Sequence, residues 1–346
     1  MIRRERLEIG IVAALVAVSA LCHFASANQV LTFAVTAVTL AGLARLVGTA
    51  TEQLGAQLGS GGASVVQSAL GNLPELFIAL FALHRGLFNV VQAALVGSIL
   101  ANSVLVLGIA FVVGGLRNGV QQFDSNRARL VSTLTVLAAA TLAMPSLAHA
   151  FHTPAAAHTQ ALSLICAGVL LAIFLLTLPS FLRSAPGEVH EPARWSRTTT
   201  GIVLLFAGSA AALTSDWFVS ALTPAIHTLH MSEEFAGLVI VAIAGNAVEN
   251  VVGVQLAARN RADFAVSVIV NSSLQVALAL TPVLVFVSLL FATHLTLVFP
   301  TLLALVLLIS SILGALVVND GESNWQEGAV LVGFYIVIAA SFWWGT

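Results

Sequence analysis

Two glutamates carry the chemistry this sequence can do. Glu75 stands in GNLPELFIAL (Gly71–Leu80) and Glu249 in GNAVENVVGV (Gly245–Val254), each in the middle of an apolar run. An ionised carboxylate at the centre of a membrane helix costs about 2.5–3.5 kcal/mol by insertion scales, so each must be protonated, paired or turned toward a polar cavity. No Arg or His lies at similar depth in the sequence to act as partner, which leaves protons and cations. Two carboxylates brought together suit one divalent ion such as Ca²⁺, which takes about six to eight oxygen ligands. Without the ion, burial and mutual repulsion favour the protonated forms. Either occupant neutralises the same pair, so loading one expels the other.

The residues around the glutamates fit that task. Gly71-Asn72 and Gly245-Asn246 precede them, with Pro74 added in the first copy. These residues loosen a helix and free backbone carbonyls, which is tolerated at membrane depth only where the backbone is buried in protein or lines a cavity. The next apolar segment of each copy adds neutral oxygens, Ser98, Asn102 and Ser103 in GSILANS and Asn271, Ser272, Ser273 and Gln275 in NSSLQ. The expected ion ligands are Glu75, Glu249, Asn72, Asn246, Ser98, Asn102, Ser272 and Gln275. No HExxH or GxSxG motif is present, so neither an enzyme nor a resident cofactor is expected. A divalent cation and protons are the expected cargo.

The elements that position these residues follow from composition. The chain has 346 residues, 59% of them hydrophobic and only 8% charged, against about 25% charged in soluble domains. Apolar runs long enough for a ~30 Å hydrocarbon core recur along it. The expected fold is an all-α polytopic membrane protein of eleven spans, at 9–26, 29–47, 61–84, 89–115, 130–148, 160–182, 200–221, 233–258, 264–290, 295–317 and 328–345. All 13 basic residues are Arg. With a cytoplasmic N-terminus and alternating spans, every Arg but Arg85 falls on the cytoplasmic side, a strong positive-inside bias. A bacterial inner membrane is the expected location. The first span resembles a signal peptide in its basic start and small-residue end, and is expected to be retained. A net charge of −2 gives no hint of a nucleic-acid partner and none is expected, and two cysteines inside apolar runs, Cys22 and Cys166, imply no disulfide framework.

The glutamate motifs repeat at an offset of 174 residues, and the register continues through Arg85/Arg259, Ser98/Ser272 and Leu100/Leu274. The expected organisation is one transporter unit, 1–346. It comprises a leading helix at 1–28, a first repeat at 29–182, a cytoplasmic linker at 183–199 and a second repeat at 200–346. Five spans per repeat is an odd number, so the second copy enters the membrane inverted. Inverted repeats with broken helices and a site at the repeat interface are a secondary-transporter architecture.

At these residues the sequence resembles the Ca²⁺/H⁺ exchanger (CAX) branch of the Ca²⁺:cation antiporter superfamily. The likeness runs through Leu70 to Arg117, Ile243 to Phe286 and the closing DGESNWQEGAVL (Asp320–Leu331). It implies Ca²⁺ binding and proton competition at Glu75 and Glu249, with exchange by alternating access. Pro74 is a departure that resembles the Na⁺/Ca²⁺ exchangers, and Asn250 stands where the family has His. Asn271 replaces a Gly. Na⁺-coupled Ca²⁺ exchange, or exchange of another cation for H⁺, is the alternative. The remaining polar groups read as structural: histidines beside the outer loops, and the Asp320, Glu322 and Glu327 cluster favouring a helix N-terminus.

Overall fold

Apolar backbone in hydrocarbon can satisfy its own hydrogen bonds only as helix or closed barrel, and here helix forms throughout. The computed structural model describes residues 3–25, 27–58, 70–181 and 193–345. Its helices are α1 (Arg3–Phe24), α2 (Gln29–Leu58), α3 (Leu73–His84), α4 (Phe88–Asn118), α5 (Ser125–Ala150), α6 (Thr159–Phe181) and α7 (Arg197–Leu229). They continue as α8 (Glu233–Gly245), α9 (Ala247–Ala258), α10 (Ala262–Ser288), α11 (Thr301–Val317) and α12 (Trp325–Phe342). Among the described residues eight helices are long and apolar enough to cross a membrane, or nine if the bent pair α8 and α9 counts as one span. Two further apolar helices, α3 and α11, are shorter. The expected span at 61–84 and the linker at 183–199 fall partly outside the described residues.

The chain divides into two compact units. The first comprises Met1–Ala82, Leu175–His230 and Ala244–Val248. In it α1, α2 and α7 pack around Leu43, Val47, Ala50, Ala207 and Ala211, and the small alanines of α7 let it lie close along α2. Ser19 and Thr39 join α1 to α2 through their hydroxyls at 2.8 Å, and Phe33 stacks on Phe218 at 5.0 Å. Trp195 is buried in the same core. Gln53 Oε1 accepts from the Arg194 and Trp195 amides at 2.7 and 3.2 Å, and Gln57 Nε2 donates to the Trp195 carbonyl at 3.0 Å. The end of the expected linker is thus core.

The second unit comprises Leu83–Phe174, Met231–Ile243 and Glu249–Thr346. Its centre is α4, buried on all sides from Val90 to Leu100. Close approach is what Gly97 and Gly237 supply. A Cβ on Gly97 would strike the Leu238 backbone, and one on Gly237 the backbone of α4 at Val90 and Ala94, so α4 and α8 cross nearly backbone to backbone. Both α4 and α10 contain a π turn, at Ala101–Val106 and Val276–Leu280. A two-stranded antiparallel ribbon, β1 (Gln121–Gln122) with β2 (Glu322–Ser323), pairs Gln121 with Ser323.

One expected span begins differently. Helix was expected from 295, but α11 starts at Thr301 and the stretch before it is irregular. Pro300 caps the helix, and the irregular backbone is held by side chains of other helices. Gln92 Nε2 donates to the carbonyls of Thr296 and Val298 at 2.9 and 3.1 Å. Ser146 Oγ donates to the Leu297 carbonyl at 3.0 Å, and Ser163 Oγ accepts from the Leu297 amide at 2.9 Å. Irregular backbone at membrane depth persists only when satisfied in this way.

Candidate functional site

Both Gly-Asn motifs sit at helix breaks. Gly71 and Asn72 form a turn before α3, and the Asn72 carbonyl accepts from the Leu76 amide at 2.9 Å. Asn246 interrupts α8 and α9, whose axes bend by 64°. In consequence Glu75 and Glu249 each lie in the first turn of a new helix, where the helix dipole favours negative charge. Pro74 was expected to help loosen the helix around Glu75, but it does not interrupt α3. It occupies the first turn of α3, where a missing N–H costs nothing; the break precedes it and recurs at Asn246 without any proline.

In the first unit Glu75 is 3% exposed and Asn246 fully buried. Glu75 lies against Gly245: a Cβ on that glycine would stand 3.2 Å from Glu75 Cβ and 3.4 Å from Cγ. The glutamate of one motif thus packs on the Gly-Asn of the other, although the two are far apart in sequence.

In the second unit the neutral oxygens gather. Ser98 and Asn102 are fully buried on α4, and Ser272 is 4% exposed on α10. Asn102 Nδ2 donates to Ser272 Oγ at 3.0 Å. Ser273 Oγ donates to the Ile99 carbonyl at 3.4 Å. Gln275 is half-buried at the last residue before the π turn of α10. Glu249 is also half-buried, in the first turn of α9. A Cβ on Gly253 would stand 2.7 Å from Ile269 Cγ1, so α9, which carries Glu249, approaches α10 closely at that point. Asn72, half-buried in the first unit, offers its carbonyl inward to α3.

Other polar groups have structural partners. Asn324 and Glu327 form a reciprocal capping box on α12 at 3.0 and 3.1 Å, and Asp320 accepts from the Glu322 amide at 3.1 Å. His294 pairs with Gln160. Among the described residues no three His, Cys, Asp or Glu side chains cluster. Sequence reading missed the role of Gly245 as a bed for Glu75; its recurrence beside Asn in both motifs was the signal. It also missed hydroxyls on α5 and α11, discussed below.

Long apolar helices, breaks beside acidic residues and neutral oxygens on the following helices define a membrane-embedded ion transporter. Comparison with known proteins gives its kinship. The family profile described as "Sodium/calcium exchanger protein" matches residues 28–183 and again 199–344, and the chain belongs to that family. A Ca(2+)/H(+) antiporter, ChaA of Bacillus subtilis, is 35% identical over 338 residues, covering 94% of each chain. The solved structure of native YfkE superposes with a TM-score of 0.84 at 32% identity, covering 97% of this chain and 99% of that one. The solved H⁺/Ca²⁺ exchanger CAX shares the fold, with a TM-score of 0.81 at 16% identity over 97% of this chain and 88% of its own. These relatives are transporters, and the chain is a membrane cation antiporter rather than an enzyme.

Proposed function

We propose that this chain exchanges Ca²⁺ for H⁺ across a bacterial inner membrane by alternating access, with Glu75 and Glu249 taking either the dication or protons. The packing of Glu75 on Gly245 carries the reading. It makes the two halves' motifs parts of one locus, and the antiporter relatives supply the class of cargo. Asn72, Asn246, Ser98, Asn102, Ser272 and Gln275 complete the oxygen set around the ion. They are neutral, so the charge to be balanced stays on the two carboxylates, and Ca²⁺ and protons compete for it.

The architecture we infer is eleven spans, a leading helix followed by two inverted five-helix repeats at 29–182 and 200–346, with the N-terminus in the cytoplasm. The double match of one family profile supports it. So does the Ser273–Ile99 hydrogen bond, whose sequence separation of 174 equals the motif offset, because equivalent residues meet where a two-fold axis passes. The π turns of α4 and α10 fall at matching places as well.

Purified protein in liposomes tests this. An imposed proton gradient should drive Ca²⁺ uptake, and Glu75→Gln or Glu249→Gln should abolish it. Full Ca²⁺ transport by either variant, or uptake that follows a Na⁺ gradient instead of a proton gradient, overturns the reading.

A further inference from the structure

The second unit contains a small cavity between α4, α5, α10 and α11 that the ion site does not use. Five hydroxyls line it, those of Ser103, Ser132, Thr135, Ser273 and Ser311, all on buried residues. Most of their protons are already committed. Ser103 donates to the Ile99 carbonyl at 2.6 Å, Thr135 to Val131 at 2.9 Å and Ser311 to Leu307 at 2.8 Å, and Ser273 donates to Ile99 as well. A hydroxyl that has donated presents only lone pairs. The partly open pocket therefore offers hydroxyl acceptors set in a mostly apolar wall, with room for about one water. Its fitting occupant donates hydrogen bonds, as water or hydronium does. It has no carboxylate and no space for a ligand shell, so a dication gains nothing by entering.

The cavity lies between the ion site and a surface groove. Ser103 and Ser273 are the chain neighbours of Asn102 and Ser272, and α9, the helix of Glu249, meets α10 where Gly253 lies against Ile269. On its other side the cavity shares the wall residue Val270 with a groove between α5 and α10. That groove is lined by Asp124, Arg127, Asp263, Ser267 and Asn271. Asp263, Ser267 and Asn271 recur every fourth residue along α10, Asn271 Nδ2 donates to Ser267 Oγ at 3.2 Å, and the Asp124 amide donates to Asp263 Oδ1 at 3.0 Å at the mouth. The first half has no such stripe. At the 174-residue offset stand Asn89, Ala93 and Gly97, and Ala93 and Gly97 are the face on which α4 packs against α8.

We propose that this hydroxyl cavity and the Asp263–Ser267–Asn271 groove form a proton exit to the cytoplasmic side, separate from the route of Ca²⁺. A proton leaves the Glu249 carboxyl for the single water the pocket can hold, breaking one O–H bond and forming another, and that water gives up a proton in turn to water in the groove. The one-sidedness of the stripe gives the path one opening. The inference rests on the Ca²⁺/H⁺ reading above, and one assay separates the two.

Full-length protein in liposomes is measured in two modes, Ca²⁺ uptake driven by a proton gradient and ⁴⁵Ca²⁺/Ca²⁺ self-exchange at equal pH, which moves no net protons. The variants are Thr135→Val, isosteric and lacking the hydroxyl, Ser311→Val, which fills the space, and Ser132→Ala, the mildest. Proton-driven uptake should slow about tenfold in at least the first two while self-exchange stays within about twofold. Parallel loss of both modes in all three variants, or loss of neither, overturns the path. Wild-type protein that exchanges Ca²⁺ but ignores the proton gradient overturns the underlying reading instead.

Discussion

Asn102 Nδ2 donates to Ser272 Oγ at 3.0 Å across the crossing of α4 and α10, both groups buried. The bond ties the neutral-oxygen segment of the first half to that of the second. A buried hydrogen bond contributes about 0.5–1.5 kcal/mol net, and stranding one partner costs roughly 1–3 kcal/mol. Asn102→Ala and Ser272→Ala should therefore each weaken Ca²⁺ affinity without removing transport, by about five- to a hundredfold. In a double-mutant cycle the pair should couple by about 0.5–1.5 kcal/mol. Additive losses in the uptake KM would show that the two side chains act independently.

Gly245 has one task at the site, to leave room for Glu75. Gly245→Ala places a methyl 3.2 Å from Glu75 Cβ, tighter than ordinary contact, and overpacking of this kind costs about 1–3 kcal/mol. The expected outcome is folded protein, by thermal melting in detergent, whose Ca²⁺ uptake falls at least about tenfold. Wild-type uptake by this variant would mean that the packing of Glu75 on the second motif does not matter to transport.

The acidic positions, the helix breaks and the neutral oxygens were legible because each is a departure from apolar composition inside a span. Glu75 and Glu249 could be singled out by cost alone. What stayed hidden depends on partners distant in the chain. The irregular stretch before Thr301 reads as the start of a helix until Gln92, Ser146 and Ser163 are seen to hold its backbone. Pro74 reads as a helix-loosening residue until the helix is seen to begin at Leu73. Ser132, Thr135 and Ser311 each look like the small polar residues that join membrane helices, and only their convergence on one cavity sets them apart.

Trp195 shows the same limit in the linker, whose polar composition suggested a solvated joint. Its ring is 5% exposed and its Nε1 donates to Glu5 Oε2 at 2.8 Å. Trp195→Ala should destabilise the protein by about 3–5 kcal/mol, seen as a lower Tm and poor yield. Trp195→Phe keeps most of the buried area and should lose only about 1–1.5 kcal/mol with the hydrogen bond. Equal melting of the alanine variant and the wild type would mean that the ring is not part of the core.

Pro74 is the residue that most invites a sodium-coupled reading, and its position in α3 argues against giving it that weight. At the first turn it forfeits no hydrogen bond and its fixed φ suits the helix. The second motif makes the same break without proline, at Asn246. Pro74→Ala should then lower stability by about 1 kcal/mol or less, through the freedom returned to the unfolded chain. Proton-driven Ca²⁺ uptake should persist within about threefold, and a Na⁺ gradient should drive none in either form. A variant that gained or lost Na⁺ coupling would make Pro74 a determinant of the driving ion, and the explanation from helix geometry would fail.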